Sequence, residues 1–187
     1  MAPLSPQRFV DLAMANPCNR EIVRRLPELR LPQCFLTAGC VFQTVWNGRS
    51  GQAAQASIRD YDVFYFDDSD LSWEAEDAVI RAAGVLFADL GVPVEIRNQA
   101  RVHLWYGQRF GGAYPKLRSA RDGIDRYLIR CTCIGIDIAT GALHAPNGLQ
   151  EMWDGILRIN PRNPRPDLFR CKAEAYRARW PWLTIAG

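Results

Sequence analysis

The stretch SIRDYDVFYFDD, residues 57–68, limits the fold more than any other in the chain. Its aromatic and β-branched residues predict a strand over residues 58–66, yet Asp60 and Asp62 carry charge into it. Side chains two apart in a strand point to one face, so the two carboxylates project together. Burying unpaired charge is costly. The strand must therefore turn that face to an opening, either as a frayed, solvent-facing start or as a site where a cation lies between the acids.

The neighbouring segments alternate between strand and helix. QCFLTAG predicts a short strand ending at Gly39, and CVFQTVWNG a short helix after it. The polar residues 48–57 predict a mobile loop. A helix capped by Asp70 or Ser72 runs to Gly91, a strand follows at PVEIRN, and a helix covers QARVHLWYG. Beyond the glycine-rich GQRFGGAYPK come a short helix from Ser119 and the strands IRCTCIGIDI and ALHAP, joined as a hairpin by ATG. The tail offers a helical turn at GLQEMWDG, a strand at ILRIN and a last helix over PDLFRCKAEAYRARW. At the N-terminus, Ser5 with Pro6 starts one helix, and Asn19 caps a second that Pro27 stops. Strands separated by helices, with one late hairpin, predict an α/β (α+β) domain with a mixed sheet flanked by helices. The 187 residues suit one domain, with helices of residues 1–32 packed on a core of residues 33–187.

Composition narrows the function classes. Apolar residues make up 48% and charged residues 23%, ordinary globular usage. Apolar runs such as CFLTAGCVF fall short of the roughly 20 residues of a membrane span. The start MAPLSPQRFVDLAMANP lacks the order of a signal peptide, so no membrane partner and a cytoplasmic location are expected. The six cysteines form no C-x-x-C pair and are expected to be reduced and mostly buried. Cys131 and Cys133, with His144 beyond, lack the four ligands of a zinc site. A net charge of +3 does not imply nucleic acid. Arg101, Arg109, Lys116, Arg118, Arg121, Arg126 and Arg130 nevertheless crowd one segment containing only Asp122 and Asp125, as a solvated basic face or an anion-binding surface.

Around the aspartates a constellation takes shape. Gly39 stands at a strand-to-helix junction, where free N–H groups and the helix dipole favour an anion. Glu95 is a lone acid in an apolar strand, a costly position unless it faces a metal or pairs with Arg97. A glycine at a helix start, a D-x-D pair and a later carboxylate supply, in that order, phosphate grip, metal pair and metal-assisted base.

The blocks LTAGCVFQTVWN, IRDYDVFYFD, EIRNQARVHLWY and, more loosely, HAPNGLQEMW run in this order from about residue 33 to the closing RARWPWL. Together they resemble a bacterial family of nucleotidyltransferases, a distant branch of the DNA polymerase beta-like superfamily. The resemblance implies the nucleotidyltransferase fold and transfer of a nucleoside monophosphate from an NTP to an acceptor hydroxyl, releasing pyrophosphate. It implies that Gly39 opens the phosphate-binding helix, that Asp60 and Asp62 bind two Mg²⁺ (or Mn²⁺) ions, and that Glu95 fills the third carboxylate place. The acceptor stays open between a small molecule, RNA and a protein.

Two positions depart from the superfamily pattern. Cys40 replaces the usual serine and is a poorer donor, leaving backbone N–H groups to grip phosphate. The third acid is Glu rather than Asp. The RNQARVH block has no counterpart in the wider superfamily. From its place after the Glu95 strand, Asn98 and Arg101 are expected to hold a phosphate or base, and His103 to act as acid or base or to sit in the core. Trp46, Trp105 and Tyr106 are stacking or core aromatics. Two alternatives remain: a nucleotide-binding or interaction module without turnover, favoured by Cys40, and a metal-dependent nuclease, suggested by Asp62 and the later EIR. The long helix between those acids argues against the nuclease.

Overall fold

The aspartate-bearing strand lies one place in from the edge of a mixed sheet. The computed structural model describes residues 3–186, and its five-stranded sheet has the order β3-β2-β1-β4-β5. These strands are β1 (Phe35–Thr37), β2 (Tyr61–Tyr65), β3 (Val94–Asn98), β4 (Gly135–Asp137) and β5 (Leu143–His144). β1 runs antiparallel to β2 and β4, whereas β2 and β3 are parallel and connected through α4 (Trp73–Leu86). The expected mixed sheet flanked by helices is the one observed. A separate parallel pair, β6 (Ile156–Leu157) with β7 (Thr184–Ile185), lies outside it.

Strand alternation divides the sheet into unlike faces. Leu36, Val63, Ile96 and Ile136 point into the main core, with Tyr61 and Tyr65 beside them. That core also takes in α1 (Pro6–Ala13), α2 (Pro17–Arg25), α3 (Gly39–Arg49) and α8 (Pro166–Arg179) through Phe9, Ile22, Trp46 and Ala173. The residues between them, Phe35, Thr37, Asp62, Phe64, Glu95 and Arg97, occupy the opposite face. Near Phe35 a smaller apolar cluster with Ala120 and Ile124 of α6 (Ala120–Ile124) covers this face.

Local chemistry accounts for most helix starts, with one revision. Ser5 caps α1, and Ser72 caps α4 while Asp70 accepts from the Ser72 N–H at 2.8 Å. The second helix begins earlier than expected, because Asn16 caps it and Pro17 fits its first turn. Asn19 lies inside that helix, buried, and its amide donates to the Ala13 and Cys40 carbonyls. The loop expected to be mobile is tethered: Asn47 at the end of α3 donates to the carbonyls of Ala54 and Ala56.

The long strand expected over IRCTCIGIDI shrinks to Gly135–Asp137. Thr132 folds its hydroxyl back onto the Ile129 carbonyl at 2.8 Å, and residues 130–132 form a 3₁₀ turn. The ATG hairpin forms as expected, with Gly141 at φ 69°. Of the aromatics, Trp46 is fully buried among Phe42, Tyr176 and Trp180, with edge-to-face ring contacts and its indole N–H on the Met152 carbonyl.

Candidate functional site

The uncovered half of the second sheet face carries the acids. Asp60 immediately precedes β2, Asp62 lies within it, and Glu95 is the direct partner of Asp62 on β3. Tyr61, between the aspartates, points the other way into the core, where Asn16 donates to its hydroxyl at 3.1 Å. This anchor fixes which way the acids face. Burial first, then the charges of Asp60 and Glu95, push the Asp62 carboxyl up from 3.8 to about 7, against the pull of Lys172 and Arg97.

Glu95 itself is half exposed, with its carboxylate 3.8 Å from the Arg97 guanidinium. Of the two environments expected for it, the Arg97 pairing is the one observed, with Asp62 as its neighbour across the strands. Among the described residues, no group of three or more His, Cys, Asp or Glu side chains is arranged to hold a metal. Glu95 stands beside the aspartate pair rather than closing a cage with it.

The junction beside the acids is strained. Thr37, the β1 partner of Asp62, is followed by Ala38 at φ 60° and ψ −144°, and α3 starts at Gly39. That backbone region is essentially reserved for glycine and costs a side-chain-bearing residue about 1–3 kcal/mol. It brings the first turn of α3 to the aspartate end of the sheet. A methyl group at Gly39 would lie 2.5 Å from Nε2 of Gln43, which folds back over the helix start. Gln43 is held there by Arg179 of α8, which donates to its Oε1 at 2.8 Å and to the Ser57 carbonyl at 2.6 Å.

Cys40 has no side-chain role at this surface. Its thiol is fully buried, donates to the Thr37 carbonyl at 3.1 Å, and is pushed well above its ordinary pKa, chiefly by burial. What Cys40 offers an anion is its backbone N–H.

Ala38 makes the strain testable. Ala38→Gly is expected to hold or raise the melting temperature, because relief of about 1–3 kcal/mol of strain outweighs the extra chain entropy of about 0.5–1 kcal/mol. Ala38→Val should lower it by several degrees, since a β-branched residue tolerates this conformation worse. Thermal unfolding of the three proteins side by side checks the order.

A cleft of about 390 Å³ lies farther along the same face, lined by Phe64 and Arg97 rather than by the acids themselves. Phe64, two residues beyond Asp62, and Tyr127 line it, their ring centroids 5.8 Å apart. The Tyr127 hydroxyl lies 3.1 Å from Thr37 Oγ1, and burial raises its pKa well above 10.0, reinforced by the Asp62 charge. Trp105 and Tyr106 of α5 (Val102–Phe110) form an aromatic wall with Tyr114, and Arg97, Arg126 and Lys172 supply positive charge.

Lys172 keeps an exposed surface, yet the protein packed around it lowers its pKa while Asp62 and Asp60 pull it back up. Its ammonium is thus within reach of the aspartates' charge, though it forms no ion pair with them. The signal for it is the helical spacing of Phe169, Ala173 and Tyr176, which sets Lys172 at the margin of the buried stripe of α8. Gln43, Phe64, Tyr127 and Arg179 were likewise missed as site residues.

Two residues expected at a phosphate are committed elsewhere. Asn98 follows Glu95 by an odd number of residues and so faces the other side of β3. Its amide donates to the Asp67 carbonyl at 2.8 Å, and its Oδ1 accepts from Asp67 N–H and Ala100 N–H. Arg101 is buried in an ion pair with Glu76, and its Nε donates to the Leu71 carbonyl at 2.9 Å. Both side chains hold the β3–α5 turn in place. His103 is partly buried, with an Nδ1 that lacks a partner, and does not line the cleft.

Comparison with known proteins bears on the family and the fold. A family model described as nucleotidyltransferase matches residues 24–185. A solved structure described as revealing a CCA-adding enzyme head domain superposes with a TM-score of 0.77 at 22% identity, covering 98% of this chain and 96% of that one. No curated protein matches the sequence. With the family match spanning every strand of the five-stranded sheet and most of the chain, the chain belongs to the nucleotidyltransferase family.

Proposed function

We propose that the protein is a metal-dependent nucleotidyltransferase that moves a nucleoside monophosphate from an NTP to an acceptor hydroxyl. The observation carrying this reading is the crowding of Asp60, Asp62 and Glu95 on one sheet face, with Glu95 the direct strand partner of Asp62; burial first, then the charges of Asp60 and Glu95, raise the Asp62 pKa to about 7. Acids that repel one another on an accessible face suit a divalent cation. Mg²⁺ or Mn²⁺ needs only one or two protein carboxylates when phosphates and water complete its shell, so the Asp60–Asp62 pair fits it. When bound, the ion would neutralise triphosphate charge.

The chain's own residues would do the rest. The first-turn N–H groups of α3, at Gly39 and Cys40, face the aspartate end of the sheet and would take a phosphate. Lys172 and Arg179 would bring further positive charge to the phosphates, and Arg97 to the reacting one. The base would rest in the aromatic cleft against Phe64, Tyr106 or Tyr127. Glu95, at the exposed edge, would accept the proton of the attacking hydroxyl at one of its carboxylate oxygens. In-line attack and loss of pyrophosphate would follow from this positioning.

Cys40 keeps a second reading alive, because its buried thiol cannot make the contact expected of a serine there. A binding module without turnover would retain the cleft and the acids. A melting-temperature screen of the four NTPs with Mg²⁺ or Mn²⁺ tests binding, since a ligand of the native state stabilises it by mass action. A rise of several degrees that needs both NTP and cation is expected. Pyrophosphate release in the presence of acceptors then separates transferase from binding module, and no rise with any NTP would sink both.

A further inference from the structure

We infer that a second cavity, across Arg97 and Trp105 from the cleft, is the acceptor site and takes a nucleotide unit: a planar base with its phosphate. The inference rests on the nucleotidyl-transfer reading and names the chemistry of the second substrate. The cavity measures about 400 Å³, within the range of small-ligand sites, and is lined by Trp73, Arg97, Arg101, Trp105, Gln108 and Arg109, with Glu76, the ion-pair partner of Arg101, as its one acid. Arg97 and Trp105 also line the cleft beside the aspartates. A two-substrate transferase needs such a shared wall, because the acceptor must reach the donor phosphorus from a separately bound position.

The lining selects the ligand. Trp73, in the first turn of α4, is 57% exposed, so most of its ring surface is free for stacking. The Arg101 guanidinium lies 5.7 Å from the Trp73 ring centroid and is neutralised by Glu76, which leaves it to brace the ring. The free positive charge belongs to Arg97, only loosely paired with Glu95, and to Arg109, which has no carboxylate partner among the described residues. Gln108 adds an amide that can donate to or accept from a base edge. Flat aromatic surface with neighbouring arginines is what a base and its phosphate require, whether free or at the end of a single strand.

Fluorescence anisotropy with a labelled oligoadenylate, competed by unlabelled AMP, tests this. Trp73→Ala and Arg109→Glu change exposed side chains, and unchanged melting temperatures verify that both variants fold. Each is expected to weaken oligonucleotide binding about ten-fold or more, while the rise in melting temperature with Mg²⁺ and NTP stays as in the wild type. Asp62→Asn should show the reverse, keeping oligonucleotide binding and losing the NTP effect. Competition by AMP at comparable affinity assigns the site to a free nucleotide, and competition only by longer strands assigns it to a strand end; either result supports the inference. Wild-type protein that binds neither probe, or variants that bind like the wild type, would overturn it. Loss of binding in both variants without any NTP effect in the wild type would remove the transferase reading and leave the nucleotide-unit site standing.

Discussion

Asp62→Asn is expected to abolish metal-dependent nucleotide binding and, without divalent cations, to raise the melting temperature. Outer contacts to metal ligands are commonly worth about 10–100-fold in affinity or activity, so removing a ligand itself should reach at least the top of that range. The rise in stability follows from the charges. The folded protein holds the Asp62 carboxyl protonated up to about pH 7, whereas its ordinary pKa is 3.8. Between those values the folded state binds the extra proton, so stability declines as pH rises through this window. The penalty is complete above pH 7, where Asp62 is ionised in both states. The wild type minus Asp62→Asn difference in melting temperature, followed from pH 4 to pH 8 in chelator, should widen over that range and close when Mg²⁺ is added with NTP. A variant less stable than the wild type at pH 8, with nucleotide binding intact, would make the aspartates structural.

Glu76→Ala should be among the most destabilising single substitutions in the protein. The Glu76 and Arg101 side chains are 2% and 9% exposed and form an ion pair. The other Glu76 oxygen accepts from the Asn98 N–H at 2.8 Å. Removing the carboxylate strands a buried guanidinium and a backbone donor, at about 3–5 kcal/mol. In a chain of this size that lowers the melting temperature on the order of 10 °C. Glu76→Leu with Arg101→Met should recover most of the loss, because it removes both charges together. The double variant should also still bind Mg²⁺ and NTP. If Arg101→Met alone abolished that binding without lowering the melting temperature, Arg101 would instead be a phosphate contact.

The aspartate pair was legible in the sequence because strand alternation is a local rule. The same rule, applied one step further, turns Asn98 away from Glu95. Nearness in sequence to Glu95 suggested a shared site for Asn98, Arg101 and His103, but the Asn98 side chain faces the other side of β3 and Arg101, in the 3₁₀ turn at Gln99–Arg101, pairs with Glu76 of α4. Glu76 lies in the first turn of α4, where acids ordinarily complement the helix dipole in solvent, and nothing in its own segment signals burial. Lys172 and Arg179 were harder still, being more than a hundred residues from the aspartates. Only the packing of α8 against α3, through Trp46, Tyr176 and Trp180, reveals that they belong there. The strain at Ala38 was invisible, since alanine is an ordinary residue at nearly every other backbone geometry.

The reach of α8 to the aspartates also bears on how the protein is made. The sheet strands that carry the acids leave the ribosome well before α8, and domains acquire their structure as synthesis proceeds from the N-terminus. Until α8 docks, Asp60 and Asp62 face one another without Lys172, Gln43 lacks the grip of Arg179, and the main core lacks Ala173, Tyr176 and Trp180. The helix that brings Ala173 and Tyr176 to the core would also complete the proposed phosphate end of the cleft, so on that reading a nascent chain would lack its nucleotide grip until α8 docks.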